Sequence, residues 1–498
     1  MLINDLPNDV LGYIFRLLPW YERLKLEKVC RLWQVTVPYY DITSVAIEDV
    51  SDLYRIVDIS TPAKYVALMR AVLLKTGAHL KEVDLRTSIR RFVPRGVLDA
   101  ISEYCLVLEV LKIDSLKFEV GSLPVVESVR VLEAHFDQII DENGEAVFSS
   151  DSQNDNRYDV YPMLVASELF SSLLASMPRL ASLALLLNTG LRVWLRCPEL
   201  RECVIYSRHF EVNQLRTLFQ NCRHLQKLHV MNARVRNVYD LQSLETLAEL
   251  HLYSLPITTG DLGIIFECCP KLENVLIADC DKELTFEPLA QLTRLKSLSV
   301  SQKDNFGFEH ILDSVSKSSK LISLSYSGLS VTDASLQHLI SQHQRHLSAL
   351  TSLHITSGSL SGRNAISSDG IGNLLQVSGN RLRRLSLFGC EVNDKLFYSL
   401  LDYAPSMEYV DLTRTRCTEA GLMHFALLRA RRLLSNHCTM TCHANTITSC
   451  DKPCYNCSSE SVANIEICFG VRQITASDQA KREELFDGLR VLSKIVVS

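Results

Sequence analysis

A short frame of apolar positions, L-x-x-L-x-L with conservative swaps, recurs along most of the chain. It reads Leu80/Val83/Leu85, Leu108/Leu111/Ile113 and Val126/Val129/Val131. After a gap it resumes at Leu180/Leu183/Leu185, Leu200/Cys203/Ile205, Leu225/Leu228/Val230, Leu247/Leu250/Leu252, Leu272/Val275/Ile277 and Leu295/Leu298/Val300. The last copies are Leu321/Leu324/Tyr326, Leu350/Leu353/Ile355, Leu382/Leu385/Leu387 and Met407/Val410/Leu412, with starts 22 to 32 residues apart from Leu200 onward. The L-x-L step predicts a strand with alternate residues buried. The amphipathic stretches that follow, such as DLGIIFECC or EHILDSVSKSS, predict helices that return the chain. One such unit cannot bury its own apolar face, so the units stack. The expected fold class is α/β: a small N-terminal helical segment, then a solenoid with a curved parallel sheet inside and helices outside, over residues 77–433.

The first 40 residues follow a different period. Asn4 or Asp5 can cap a helix, Pro7 suits its first turn, and Asp9 adds favourable negative charge there. Val10, Leu11, Ile14, Phe15 and Leu18 follow with helical spacing, and Pro19 ends the run. A second helix is predicted through Leu26, Val29, Cys30 and Trp33, with Leu24 just before it and WYER as a polar-aromatic link. Two helices this short carry more apolar surface than they can hide in each other. The surplus either caps the next domain or docks a partner. Each fully buried anchor of this kind contributes roughly 1.5–3 kcal/mol, so a handful suffices for an interface.

Three stretches escape the repeat. Residues 46–76 read as a linker, with Tyr65–Leu74 a candidate buried helix. Residues 137–161, with IIDENGEAVFSSDSQNDNRYDVY from Ile139 to Tyr161, are acidic, rich in Ser and Asn, and expected to be a mobile insertion. It is either a plain solvated loop or a regulatory contact acting through Ser149, Ser150 or Ser152 if phosphorylated. Residues 434–498 form a cysteine-rich tail, in which Val462/Ile465/Ile467 could add one strand.

Composition changes this picture little. The chain has 498 residues, 47% apolar and 22% charged, so most of it should fold. The net charge of −5 lacks the basic footprint of a nucleic-acid surface. The N-terminus MLINDLPNDV does not read as a secretory signal, and LASLALLL is too short to cross a membrane. An intracellular location, cytoplasmic and/or nuclear, is expected, with no membrane partner. In that setting the 16 cysteines should be reduced thiols rather than disulfides.

The stretch LPNDVLGYIFRLLPWYERLKLEKVCRLW resembles the F-box. Leu6, Pro7, Val10, Leu11, Ile14, Phe15, Leu18, Pro19, Leu24, Val29, Cys30 and Trp33 match its pattern, while Trp20-Tyr21 are bulkier than it usually carries. The resemblance implies residues 1–45 as an F-box whose helices pack against a Skp-type adaptor, which joins the chain to a cullin–RING ligase. The repeats resemble the cysteine-containing class of leucine-rich repeat. Cys269-Pro270 leads into Leu272 and then Cys280, and Gly389-Cys390 follows Leu387. Val331-Thr332-Asp333 and Val392-Asn393-Asp394 precede helices, and Cys105, Cys222 and Cys268-Cys269 close them. That placement gives these cysteines a core role. Together the two resemblances imply the substrate receptor of an SCF-type E3 ubiquitin ligase, promoting ubiquitination and proteasomal degradation. The alternative is a leucine-rich-repeat scaffold that uses the F-box only for assembly. Neither role is catalytic, and no GxSxG, HExxH or P-loop suggests an enzyme.

A substrate would sit on the concave sheet face, where residues flanking the buried strand positions point. These are Lys227/His229/Met231, Glu249/His251/Tyr253, Asn274/Leu276/Ala278, Ser297/Ser299/Ser301, Ser323/Ser325/Ser327, Ser352/His354/Thr356, Arg384/Ser386/Phe388 and Tyr409/Asp411/Thr413. Tyr253, Ser299, Ser325, His354, Phe388 and Tyr409 are the candidate protein-binding residues, with aromatics as anchors. The small hydroxyl residues in the middle could instead serve a tightly curved sheet. No cofactor is expected, apart from a possible structural zinc in the tail. There Cys438, Cys442, His443, Cys450, Cys454 and Cys457 lie within 20 residues, although a single C-x-x-C fits no named zinc pattern. Unmodified thiols are the other reading.

Overall fold

A computed structural model gives the architecture. It describes residues 3–46, 61–86, 95–114, 126–136, 138–140, 146–149, 168, 170–187, 195–280, 284–301, 311, 313–314, 321–328, 331–357, 366–418, 420–429, 465–468 and 495–497. The chain divides into two compact units, Met1–Cys269 and Pro270–Ser498.

The first unit begins with three helices, α1 (Asn8–Arg16), α2 (Trp20–Leu26) and α3 (Arg31–Thr36). This corrects the two-helix expectation. WYER is the start of α2, entered directly after Pro19. The run from Leu26 to Trp33 is broken at Cys30, whose backbone is extended. No Gly or Pro marks that break, so apolar spacing alone made two short helices look like one. Leu11, Phe15 and Val37 form the module's core, with Leu6, Ile14, Leu26, Leu32, Trp33 and Tyr39 packed against it. Trp33 tilts onto Phe15 with ring centroids 5.0 Å apart, and its Nε1 donates to Asn4 Oδ1 at 2.7 Å.

Arg23 closes this module. It is buried, and its guanidinium donates to the carbonyls of Leu18, Pro38 and Arg16 and to Asp41 Oδ1 at 2.7 Å. The module is also tied to the next helix, α4 (Pro62–Thr76), by an ion pair between Glu27 and Lys75. Tyr39 donates its hydroxyl to the same Glu27 at 2.5 Å.

The repeat sheet starts earlier than residue 77. Strand β1 (Ser44–Ala46) pairs in parallel with β2 (Glu82–Asp84), and α4 buries Tyr65, Met69, Val72 and Leu73. Ala46 and α4, at the two ends of the expected linker, are therefore built into the first repeat, while residues 47–60 lie outside the described residues. Thr61 caps α4 by accepting from the Lys64 N–H, as a Thr before a Pro-initiated helix can. The sheet continues through β3 (Val110–Asp114) and β4 (Val131–Phe136). Next come β5 (Gln138–Ile140) and β6 (Ala146–Ser149), an antiparallel hairpin set apart from the sheet. The insertion thus opens with ordered pairing, while Ser150 and Ser152 lie outside the described residues. β7 (Ser182–Leu187), β8 (Glu202–Ser207), β9 (Lys227–Met231) and β10 (Glu249–Tyr253) complete the unit, all parallel and in sequence order.

In the second unit β11 (Asn274–Ala278), β12 (Ser297–Ser301), β13 (Ser323–Gly328), β14 (Ser352–Ser357), β15 (Arg384–Ser386) and β16 (Tyr409–Asp411) are also parallel and consecutive. β17 (Ile465–Cys468) adds the strand expected from the tail. β18 (Ile495–Val497), which the pattern did not flag, pairs beyond it.

The L-x-x-L-x-L residues are buried in every copy but one. Around β4 the register is Val129/Leu132/Ala134, since Leu111 pairs with Leu132 and Ile113 with Ala134. The correction arises because Val126, Val129 and Val131 offer an apolar alternative three residues early, and only pairing with β3 decides between them. Between repeats, acidic side chains bridge neighbouring segments, Asp261 from a buried position and Asp333 and Asp394 from half-exposed ones. Asp261 caps its own helix through Thr258 and also accepts from the Val238 N–H at 2.6 Å. Asp333 accepts from the Ser367 N–H at 2.8 Å, and Asp394 from the Thr418 N–H and hydroxyl. A left-handed residue recurs just past strand ends, at Asn232, Ser254, Asp279 and Gly389, turning the chain out of the sheet.

Ten of the cysteines among the described residues, Cys30 to Cys417, are free. Cys105, Cys222 and Cys269 follow helices as expected and are buried, as are Cys197, Cys203 and Cys390. Burial raises the Cys105 and Cys197 thiols to about 12 and Cys222 to about 11, so they remain protonated core groups. No helix among the described residues is long and apolar enough to cross a membrane.

Candidate functional site

Two surfaces stand out, one on the helical module and one on the sheet. On the module, Leu11 and Phe15 are fully buried inside it and cannot contribute contact area without opening it. This reassigns two of the residues expected to dock an adaptor. Leu6, Ile14, Leu18, Leu24, Cys30 and Trp33 are half-buried, while Pro7, Val10, Pro19 and Val29 are exposed. The sequence pattern missed Tyr13 and Leu17, which are 64% and 70% exposed. Val10 and Tyr13 on α1 and its C-cap Leu17 lie three and seven residues apart and so share one face. Their exposure was legible only once Leu11 and Phe15 had claimed the core.

On the sheet, the half-exposed strand positions line up by register. In the first unit the strands near the N-terminus carry charge. Lys112 pairs with Glu82 at 2.7 Å, and Arg86 pairs with Asp84 at 2.7 Å and Glu133 at 3.1 Å. Burial alone would raise the Asp84 pKa, but the Arg86 hydrogen bond and charge, with Lys112, hold it below the usual carboxylate value. Further along, Lys227 faces Glu249, His229 faces His251, and Met231 faces Tyr253 across β9 and β10. The Lys227 ammonium turns to Glu202 at 2.7 Å. His229 and His251 stack at 3.8 Å, inclined by 12°. Glu249 Oε1 lies 2.7 Å from His229 Nε2 and 3.6 Å from His251 Nε2. Burial and the neighbouring His229 pull the His251 pKa below its ordinary value, against the opposite pull of Glu249. Tyr253 is exposed at the end of this row.

In the second unit Ser297, Ser323 and Ser352 form one row, and Ser299, Ser325 and His354 the next. Ser327 and Thr356 continue a third, where Thr356 Oγ1 lies 2.9 Å from His354 Nε2. Burial lowers the His354 pKa against the raising effect of Asp411, so this hydroxyl patch carries a neutral imidazole near neutral pH. Ser299, Ser325 and His354 are therefore adjacent and half-exposed, as the register implied. Two expected face residues are corrected. Ala278 is buried, and Ser386 is buried and donates to Asp411 Oδ2 at 3.0 Å. Tyr409 is half-exposed beside Arg384, and Phe388 lies under the Arg414 guanidinium at 5.1 Å. Tyr253 belongs to the first unit and the other five candidates to the second. Cys438, Cys442, His443, Cys450, Cys454 and Cys457 lie outside the described residues.

Comparison with known proteins agrees with the repeat reading. The family model described as At1g61320/AtMIF1, LRR domain, matches residues 208–361. That segment is a leucine-rich repeat domain. No curated protein matches the chain. Among solved structures, the crystal structure of a TLR13–ssRNA13 complex is 14% identical with a TM-score of 0.39, covering 70% of this chain and 41% of that one. This chain thus spans less than half the length of that protein. An internalin, InlF, from Listeria monocytogenes str. 4b F2365 is 17% identical with a TM-score of 0.34, covering 71% of this chain and 90% of its own.

Proposed function

We propose that this chain is the substrate-recognition subunit of an SCF-type E3 ubiquitin ligase. The helical module at residues 3–37 binds a Skp-type adaptor, and the repeats hold a protein destined for ubiquitination and proteasomal degradation. The observation that carries this reading is the module's composition. It pairs a near-complete F-box pattern with an α1 face that leaves Val10, Tyr13 and Leu17 in solvent. An isolated soluble helix gains nothing from such a stripe, whereas an adaptor that covers it gains roughly 1.5–3 kcal/mol per side chain. The outward positions of the repeats supply a second, chemically different surface, hydroxyl-rich and flanked by Phe388 and Tyr409. The chain itself performs no chemistry; it raises the local concentration of substrate at the ligase. The ligase machinery places the proposed site of action in the cytoplasm, the nucleus or both.

Affinity purification of the full chain tests this. The expected result is co-purification of both a Skp-type adaptor and a cullin, with one or more bound proteins accumulating when the ligase is blocked. Adaptor without cullin would point to a non-degradative scaffold, and absence of both would overturn the reading.

A further inference from the structure

The geometry points to a Zn2+ site formed by His229, Glu249 and His251 on the outward face of β9 and β10. It is independent of the ubiquitin-ligase reading. The site follows from strand register. Leu228, Val230, Leu250 and Leu252 are buried, so the alternating residues His229, Glu249 and His251 all project to the other side of the sheet. Parallel pairing sets His229 directly beside His251 and makes Glu249 the diagonal neighbour of His229. One potential ligand atom from each residue then lies within 4.8 Å of the others.

The donor set decides the metal. Two imidazoles and one carboxylate suit Zn2+ and its first-row neighbours, whereas Ca2+ and Mg2+ require oxygen ligands throughout. In a tetrahedral Zn2+ site with bonds near 2.0 Å, ligand atoms sit about 3.3 Å apart. The separations of 2.7 Å and 3.6 Å from Glu249 Oε1 fall either side of that distance. Small side-chain rotations, opening the stacked rings like a hinge, bring all three atoms into bonding range. The three side chains are partly shielded, with 22% to 30% of each exposed, which limits competition from water without closing the site. Lys227, the nearest cation in register, is engaged by Glu202 and leaves Glu249 to the histidines. Three protein ligands leave the fourth position facing outward. Water can fill it, or a carboxylate or imidazole from a protein bound along the sheet, so the ion would act as a recognition point beside Tyr253.

The test is Zn2+ binding by the full chain after removal of metal with a chelator, followed by elemental analysis and calorimetry. Because the tail cysteines could also take zinc, the comparison is between the wild-type chain and the variants His229→Ala, His251→Ala and Glu249→Gln. Each variant is expected to bind a single Zn2+ equivalent fewer at saturating micromolar metal. The affinity for that equivalent should fall by at least about a hundredfold, the upper range for losing even an outer-shell partner. Lys227→Ala, next to the site but not a ligand, should retain it and serves as the folding control. Co2+ in place of Zn2+ should give a d–d component that the histidine variants lose, with any thiolate charge transfer from the tail cysteines unchanged. Equal stoichiometry and affinity in the wild type and all three variants, or a Co2+ spectrum unchanged by the histidine substitutions, would overturn the assignment.

Discussion

Arg23 shows how much a single side chain can hold together. Its guanidinium satisfies three backbone carbonyls and Asp41 from a buried position. Replacing it with Met removes the charge but keeps much of the volume, and leaves those acceptors unpaired. The expected cost is about 3 kcal/mol, read as a lower denaturant midpoint. The pair also predicts an acid dependence. Burial alone would raise the Asp41 pKa, but the Arg23 hydrogen bond and charge bring it below its ordinary value. A carboxyl lowered in the folded state stabilises above its unfolded pKa, near about 4, and that stability is lost as pH falls through the folded value. An acid titration of stability should therefore be flatter below about pH 4 in Arg23→Met than in the wild type. Nothing in the sequence singled out Arg23, because a buried arginine has the same letter as a solvated one. On the sheet, Tyr253→Ala or Phe388→Ala should weaken substrate capture and leave adaptor binding intact; capture unchanged in both would discard the aromatic anchors.

Among the secondary-structure elements, strands were legible and helix breaks were not. The L-x-L step found the repeat strands because alternation and burial coincide there, and it missed β18 and slipped around β4, where valines crowd both registers. α2 and α3 read as one helix because helical spacing continues across Cys30. The links between repeats depend on single acids, and Asp394 gives the clearest test. It accepts from both the N–H and the hydroxyl of Thr418 at 2.6 Å. Asp394→Ala should cost about 1–2 kcal/mol, in the range of a lost helix cap. Hydrogen exchange should locate the loss in residues 392–429, and uniform protection across the chain would contradict it. His229, Glu249 and His251 were each placed correctly on the outward face by register. Their convergence is invisible along the sequence because the two strands lie a repeat apart, and only parallel pairing brings the same strand position side by side.

For the whole molecule, the proposed division of labour between helical module and repeats rests on chemistry that differs between them. The module keeps an apolar stripe in solvent, while the repeats present charge, imidazole and hydroxyl groups in rows. The buried cysteines fit the core role expected of them, and their thiols should resist alkylation in the folded chain more than the half-exposed Cys30, Cys268, Cys280 and Cys417. The repeat architecture could be read from sequence because each unit restates the same physics. The proposed docking surface could be read only in outline, since the same pattern of apolar residues serves the module's core and its exposed face. Binding of the purified full chain to a Skp-type adaptor, compared with Leu17→Asp, separates these roles. Leu17 is 70% exposed, so its substitution should leave the melting temperature unchanged. The wild type should form a saturable complex, and Leu17→Asp should bind about thirtyfold more weakly, the loss of a 2 kcal/mol hot spot. No complex with the wild type, or equal affinity for the two chains, would contradict the assignment of this face to the adaptor.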